Sequence, residues 1–239
     1  MKASPFLIIE TGQPVPTLRR HGRFPHWIRV AAGLAEADIV VVNVEHGEPL
    51  PARDGFAAAL ITGSAAFVTD RADWSEHSAG WLREAAHAGM PLLGICYGHQ
   101  LLAHALGGQV DYNPAGRESG TIYLDLAPAA HADPLFAGLP ARFPAQATHL
   151  QTVLRIPDGA TVLARSARDN CQAFRWGDNT WGLQFHPEFA TRHMRGYVHA
   201  RADCIARHGG CARTVSREVS AAPVARRLLR RFVRRARSE

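Results

Sequence analysis

The chain has 239 residues, 46% of them hydrophobic, which allows one substantial core and excludes two full catalytic domains. The first ten residues hold one lysine and a short apolar run, which does not match the layout of a secretory signal peptide. The longest stretch without a charged residue, 85–110, contains three histidines and several glycines, unlike a lipid-facing helix, so we expect a cytoplasmic protein with no membrane partner.

The cysteine content indicates free thiols, and the positive charge is concentrated near the C-terminus. Cys96, Cys171, Cys204 and Cys211 fit free thiols in a reducing compartment better than a disulfide framework. The formal net charge of +6 lies at the C-terminal end, because residues 201–239 carry eleven arginines against three acidic residues. That part has a charge of +8, so residues 1–200 sum to −2 and the body of the protein is close to neutral.

Short apolar segments alternate with segments of helical spacing in the first half of the chain. Buried strands are predicted at Phe6–Ile9, Ile39–Val44, Ala59–Thr62 and Leu92–Ile95, and helices at Trp27–Ala35 and Trp74–Ala88. This alternation is typical of a parallel sheet covered by helices on both faces.

The second half is richer in β-forming residues separated by Pro, Asp, Gly and Asn. We predict added, partly antiparallel strands at Thr121–Leu126, Ala160–Ala164, Cys171–Trp176 and Trp181–Phe185. A helix is predicted from about Arg192 to His208, ended by two glycines. The predicted fold class is therefore α/β, an open, mostly parallel sheet with helices on both faces and a few antiparallel strands.

The C-terminal residues predict a basic amphipathic helix. Its apolar residues lie between arginines at a spacing that forms one stripe: Val224, Leu228, Leu229, Phe232 and Val233. We predict one domain at residues 1–210 and a basic tail at 211–239, whose helix docks on the core with its arginines in solvent. Binding to an anionic membrane or to nucleic acid is the less favoured alternative.

The segment from Pro91 to Leu102 is the most informative part of the sequence. An apolar strand enters the motif Gly94-Ile95-Cys96-Tyr97-Gly98, and an apolar helix start follows. Such glycines permit a sharp strand-to-helix turn that lifts a nucleophile above the sheet. At the head of a helix, unpaired N–H groups and the helix dipole favour the thiolate of Cys96, its reactive form. For this motif taken alone, a buried and unreactive cysteine is the alternative.

A nucleophilic cysteine needs a base and a group that orients the base. His186 and Glu188 provide both, directly after the predicted strand Trp181–Phe185, where a doubly wound sheet keeps its active site. Pro187 between them restricts the turn and holds the two side chains at a set separation. The sequence therefore predicts Cys96, His186 and Glu188 as catalytic residues. The N–H of Tyr97 is a candidate donor to the oxyanion that acyl transfer creates.

With Gly98-His99-Gln100 after the nucleophile and His-Pro-Glu downstream, the chain resembles the class I (triad) glutamine amidotransferases, whose elbow has the pattern Gly-x-Cys-x-Gly-x-Gln. The likeness covers roughly residues 6–190. Segment 113–120 is similar to a loop of members related to the amidotransferase part of GMP synthase. The resemblance implies a flavodoxin-like fold and a glutamine substrate held by Gln100 and by the backbone at Tyr97.

Further site residues follow from this resemblance alone. The turn at Gly63 and Ser64 matches the family turn after the third strand, which implies Ser64 N–H as the second oxyanion donor. Thr148, His149 and Gln151 match a family segment, Ser-His-x-Asp-x-Val, that lines the glutamine pocket. Gln151 stands where many members carry Asp.

The function that these residues predict is hydrolysis of a γ-glutamyl amide through a Cys96 thioester, with release of ammonia or an amine and no metal or organic cofactor. The substrate is glutamine or another γ-glutamyl small molecule, and a synthase partner is a possible recipient of the ammonia. Two alternatives stay open: a stand-alone hydrolase of γ-glutamyl peptides or amines, and a non-catalytic regulatory module. Nucleic acid is not expected as a partner.

Overall fold

A mixed sheet of nine strands organises the computed structural model, which describes residues 4–238. The strands are β1 (Phe6–Glu10), β2 (Ile39–Asn43), β3 (Ala58–Ile61), β4 (Leu92–Ile95), β5 (Gln109–Tyr112), β6 (Glu118–Leu126), β7 (Arg142–His149), β8 (Gln151–Arg155), β9 (Ala160–Arg165), β10 (Ala173–Trp176) and β11 (Thr180–Leu183). The helices are α1 (Phe24–Ala32), α2 (Asp73–His87), α3 (Tyr97–Ala105), α4 (Thr191–Ala200), α5 (Ala202–Arg207), α6 (Ala212–Glu218) and α7 (Pro223–Ala236).

Strand order in the large sheet is β2-β1-β3-β4-β11-β10-β9-β6-β7. The first five of these strands are parallel to one another, and the last four join by antiparallel pairing. Strands β5 and β8 form a separate antiparallel pair. The predicted fold class, a mostly parallel sheet with added antiparallel strands, is confirmed.

Alternate residues of the parallel strands pack against helices on opposite faces. Phe6 and Ile8 share a buried cluster with residues of α1 and α7, whereas Leu7 and Ile9 share one with residues of α2 and α3. This follows from the two-residue period of a strand, because a strand that is apolar at every position must be covered on both sides.

Several elements differ from the sequence prediction. Strands β5, β7 and β8 are not among the predicted strands. Strand β7 contains Pro144, and it is the edge strand of the sheet, where a missing N–H is tolerated. The helix predicted from Arg192 to His208 is two helices, α4 and α5, since the backbone leaves the helical region at Arg201 (φ −115°, ψ 22°).

Helix α7 packs its apolar stripe into the main core. Leu228, Leu229 and Phe232 are fully buried, in the same cluster as residues of β1 and β4. The Arg231 guanidinium donates to the carbonyl oxygens of Leu135 and Ala137 at 2.7 and 2.8 Å. The division of the chain at residue 210 stays a prediction. None of the helices within residues 4–238 is long and apolar enough to cross a bilayer.

Candidate active site

Three neighbouring parallel strands, β3, β4 and β11, end at the same edge of the sheet. Ile61 of β3 pairs with Gly94 of β4, and Ile95 of β4 pairs with Leu183 of β11. The Cys96 N–H extends this ladder by donating to the Leu183 carbonyl oxygen at 2.7 Å. The segments that leave these strands, which contain Gly63, Cys96 and His186, therefore meet at one place.

The turn at Cys96 is a strained elbow between β4 and α3. Cys96 has φ 52° and ψ −100°, a conformation that residues with a side chain rarely adopt. A Cβ on Gly94 would lie 2.3 Å from the Gly98 carbonyl oxygen, and a Cβ on Gly98 would lie 2.7 Å from the Ile61 carbonyl oxygen. Both glycines are thus required by close backbone approach, which explains the Gly-x-Cys-x-Gly pattern in physical terms.

The His186 ring is held in a fixed orientation next to Cys96. Its Nδ1 forms a hydrogen bond of 2.8 Å with Glu188 Oε1, and both side chains are buried. The Phe189 ring stacks on the imidazole with centroids 4.0 Å apart. With Nδ1 engaged by Glu188, Nε2 is the nitrogen left to exchange a proton with the thiol.

The charges of this group favour a thiolate beside an imidazolium. Burial alone would raise the pKa of Cys96, but His186, and to a smaller extent His149 and Arg201, lower it below its ordinary value. Burial would likewise lower the pKa of His186, but the charges of Glu188 and Cys96 raise it to about 10. An activated thiolate is the form that attacks carbonyl carbon.

The predicted oxyanion residues, Ser64 and Tyr97, line the same cavity as the thiol of Cys96. A Cβ on Gly63 would lie 3.0 Å from His186 Cε1 and 3.7 Å from the Cys96 Cβ, so a side chain at this position would crowd the imidazole. The Tyr97 N–H is the first of helix α3, where N–H groups have no partner inside the helix. The Thr11 N–H donates to Thr62 Oγ1 at 3.0 Å and ties the end of β1 to this turn, a contact that the sequence did not reveal.

A cavity of about 170 Å³ opens at the thiol. Its lining contains the predicted residues Ser64, Cys96, Tyr97, Gln100, Thr148, His149 and Gln151, and also two arginines that the sequence interpretation left out, Arg117 and Arg201. The structure therefore brings the predicted residues together, with Gly63 near His186 and Cys96, and with Glu188 bonded to His186.

Gln100 and Gln151 are connected within the wall of this cavity. The Gln100 Nε2 group donates to the Gln151 carbonyl oxygen at 2.8 Å and to Gln184 Oε1 at 2.9 Å. Gln151 Nε2 donates to Thr69 Oγ1 at 2.6 Å, while its buried Oε1 has no hydrogen-bond partner within residues 4–238. Gln151 therefore keeps an acceptor that a ligand can use.

His149 is bonded to a buried polar cluster formed by Glu118, Gln172 and Ser166. Its Nε2 lies 3.0 Å from Glu118 Oε2, and Gln172 Nε2 and Ser166 Oγ donate to the same carboxylate at 2.6 and 2.7 Å. Burial would lower the pKa of His149, but the hydrogen bond to Glu118 and the charge of Asp169 raise it. The ligand atoms of Glu118, His149 and Asp169 lie within 4.8 Å of one another, but His149 and Glu118 bind each other directly. The sequence prediction of no metal site stays a prediction.

A family model decides the identity of this arrangement. The model of the family described as glutamine amidotransferase class-I matches residues 20–201, and this range includes the elbow, His186 and Glu188. The chain belongs to the class I glutamine amidotransferase family. The family predicted from the elbow and the His-Pro-Glu motif is thus confirmed.

Individual relatives agree with this assignment. A subunit of the glutamine-hydrolyzing GMP synthase of Methanopyrus kandleri is 32% identical over 172 residues, which cover 70% of this chain and 85% of the relative. The glutamine-hydrolyzing GMP synthase of Thermomicrobium roseum is 49% identical over 111 residues, 46% of this chain. This amidotransferase covers only 19% of the length of that larger relative.

The fold agrees with that of solved amidotransferases. A glutamine amidotransferase from Thermotoga maritima superimposes with a TM-score of 0.76 at 20% identity, over 100% of both chains.

The residues that sequence reasoning missed in this amidotransferase are Arg117, Arg201 and the buried partners of His149. Glu118 pairs with His149 in the register of β6 and β7. The only available signal was the position of Arg117 and Glu118 in the loop that resembles the family.

Proposed function

We propose that the chain hydrolyses the side-chain amide of glutamine through a thioester on Cys96. The thiolate attacks the amide carbon, and the Tyr97 and Ser64 N–H groups stabilise the resulting oxyanion. His186 gives its proton to the amide nitrogen, the C–N bond breaks, and ammonia leaves. Water then loses a proton to His186 and attacks the thioester, which releases glutamate and restores the thiolate.

One observation carries this proposal. The strained Cys96 elbow faces a histidine whose second nitrogen is bonded to a buried carboxylate, at the wall of a cavity. A binding module without catalysis has no need of a positive φ at a cysteine, which costs about 1–3 kcal/mol. The energetic cost of the elbow therefore favours an enzyme over the regulatory alternative.

Replacing Cys96 by alanine tests the proposal directly. The Cys96→Ala chain should lose glutamate release from glutamine by at least about a thousandfold, because no other group can form the thioester. The matched control is Cys211→Ala, which removes an exposed thiol and should keep full activity. Equal glutamate release by the Cys96→Ala chain and the unsubstituted chain would refute the proposed mechanism.

We infer that a separate synthase chain receives the ammonia, because relatives of similar length are named as single subunits of a glutamine-hydrolyzing GMP synthase. The expected result is slow glutamine hydrolysis by the chain alone and faster hydrolysis with a co-purifying synthase. Full activity on γ-glutamyl peptides or amines without any partner would favour the stand-alone hydrolase instead. A cytoplasmic location stays a prediction.

A further inference from the structure

Arg117 is a half-buried side chain in the wall of the cavity that holds the nucleophile, and two of its donor groups lack an acceptor. Arg117 precedes β6 and lines both the catalytic cavity and a neighbouring cavity of about 420 Å³. Its Nε and Nη1 groups are buried and have no hydrogen-bond partner within the described residues. Burying charged donors without acceptors costs several kcal/mol, so an acceptor is expected from a ligand.

The neighbouring carboxylate of Glu118 does not pair with Arg117. The next residue, Glu118, directs its carboxylate to His149, Gln172 and Ser166 instead. Burial lowers the pKa of Arg117 and the positive charge of Arg201 lowers it further, whereas the charges of Cys204 and Cys96 act to raise it. Within the described residues, the Nε and Nη1 donors of Arg117 thus remain open to a ligand.

Arg201 adds a second cation to the same cavity. It lies at the break between α4 and α5, where its Nη1 makes only long hydrogen bonds of 3.4 Å to the Thr148 carbonyl oxygen and Oγ1. Among the described residues, the lining of the catalytic cavity contains no aspartate or glutamate. Two guanidinium groups in a cavity without a carboxylate select a negatively charged ligand.

We propose that Arg117 and Arg201 bind the α-carboxylate of the γ-glutamyl substrate. This inference rests on the proposed function, since it assigns the end of the substrate that lies away from the amide attacked by Cys96. The unpartnered Gln151 Oε1 in the same wall is an acceptor for the α-ammonium group. The cavity then accepts γ-glutamyl compounds with a free α-carboxylate and rejects amides that lack one.

The test compares three amides that differ only in their charged groups. L-glutamine has both groups, glutaramate keeps the carboxylate without the ammonium, and 4-aminobutanamide lacks the carboxylate. Arg117→Gln should lower kcat/KM for glutamine and glutaramate by about 10- to 100-fold, mainly through KM, because a hydrogen bond to a charged group is lost. The value for 4-aminobutanamide should stay within about twofold of that of the unsubstituted chain.

Two further variants serve as controls. Arg207→Gln removes a charge that acts on Arg117, but its side chain is exposed and does not line the catalytic cavity, so all three amides should be unaffected. Arg201→Gln should weaken glutamine and glutaramate selectively, as Arg117→Gln does. An equal loss for all three amides in both arginine variants would overturn the assignment, and so would no loss at all.

A binding measurement tests the carboxylate site independently of the proposed thioester mechanism. Calorimetric titration of the Cys96→Ala chain with glutamine needs no turnover, and Arg117→Gln in that background should raise the dissociation constant by the same factor. Equal glutamine affinity with and without Arg117, or no glutamine binding at all, would overturn the carboxylate site. The thioester mechanism is judged by turnover of the chain that keeps Cys96.

Discussion

At the residue scale, Glu188 controls the reactivity of Cys96 through His186. The Glu188 charge raises the pKa of His186, and the imidazolium in turn lowers the pKa of the thiol. Because the pKa of Cys96 is lowered, its thiolate persists as the pH falls below the ordinary titration range of a thiol. Cys171 is the contrast within the chain, since burial raises the pKa of its thiol.

Replacing Glu188 by glutamine should move the reactivity of Cys96 to higher pH. Without the carboxylate, the pKa of His186 falls and that of Cys96 rises, so the midpoint of alkylation should increase by about one pH unit. The measurement is the iodoacetamide reaction rate of the Cys96 peptide as a function of pH. Glu84→Gln, on an exposed face of α2, removes the same charge and should leave the profile in place. An unshifted profile in the Glu188→Gln chain would exclude this coupling.

The proposed catalytic residues can be named from the sequence because their chemistry and spacing are local. Cys96 lies between two glycines, and His186 and Glu188 are separated by one proline. The partners of His149 could not be predicted in this way. Glu118 reaches His149 only through the pairing of β6 with β7, and nothing local in the sequence gives the register of two strands that are separated by a long connection.

At the element scale, the elbow between β4 and α3 depends on close backbone packing. Gly98 lies in the first turn of α3, where an added Cβ would be 2.7 Å from the Ile61 carbonyl oxygen and 2.8 Å from its Cβ. Gly80 lies in the interior of α2 and has no atom within 4 Å of an added Cβ. The same substitution should therefore have opposite effects in the two helices.

Gly98→Ala should destabilise the protein by about 1–3 kcal/mol, because backbone must move to relieve the overlap. It should also lower activity, since the overlap displaces the turn that carries Cys96. Gly80→Ala should stabilise the protein by roughly 0.5–1 kcal/mol, because alanine loses less backbone entropy in a helix. Urea unfolding and glutamate release measure the two effects. Equal stability of the two variants would contradict the packing argument.

Element types were easier to predict than element limits. The apolar runs of β1 and β4 indicate buried strands directly, since a short, continuous apolar segment between turn residues is typical of a strand that is covered on both faces. The break at Arg201 has no local breaker such as proline or glycine. Arg201 lies in the wall of the candidate active-site cavity, a tertiary position that the pattern of a single segment does not contain.

At the scale of the whole molecule, α7 closes one face of the parallel sheet. Its apolar residues are buried together with Phe6, Ile28 and Leu93, from β1, α1 and β4. Arg235 lies over the Trp181 ring at 5.7 Å, and Arg237 pairs with Asp38 at 3.1 Å. Several arginines of the basic helix are therefore engaged by the protein itself, which favours a structural role over binding of an external polyanion.

Truncation of one buried side chain tests whether α7 belongs to the cooperative core. Leu228→Ala should lower the free energy of unfolding by about 2–5 kcal/mol, because it removes a fully buried side chain and leaves a cavity against the sheet. Arg227→Ala, the exposed neighbour, should change it by less than about 0.5 kcal/mol. Both are measured by urea denaturation followed through tryptophan fluorescence, which reports on Trp181 beside Phe232. If α7 were an independent tail, the leucine variant would unfold at the same urea concentration as the unsubstituted chain, and the face of the sheet under α7 would have to be stable without it.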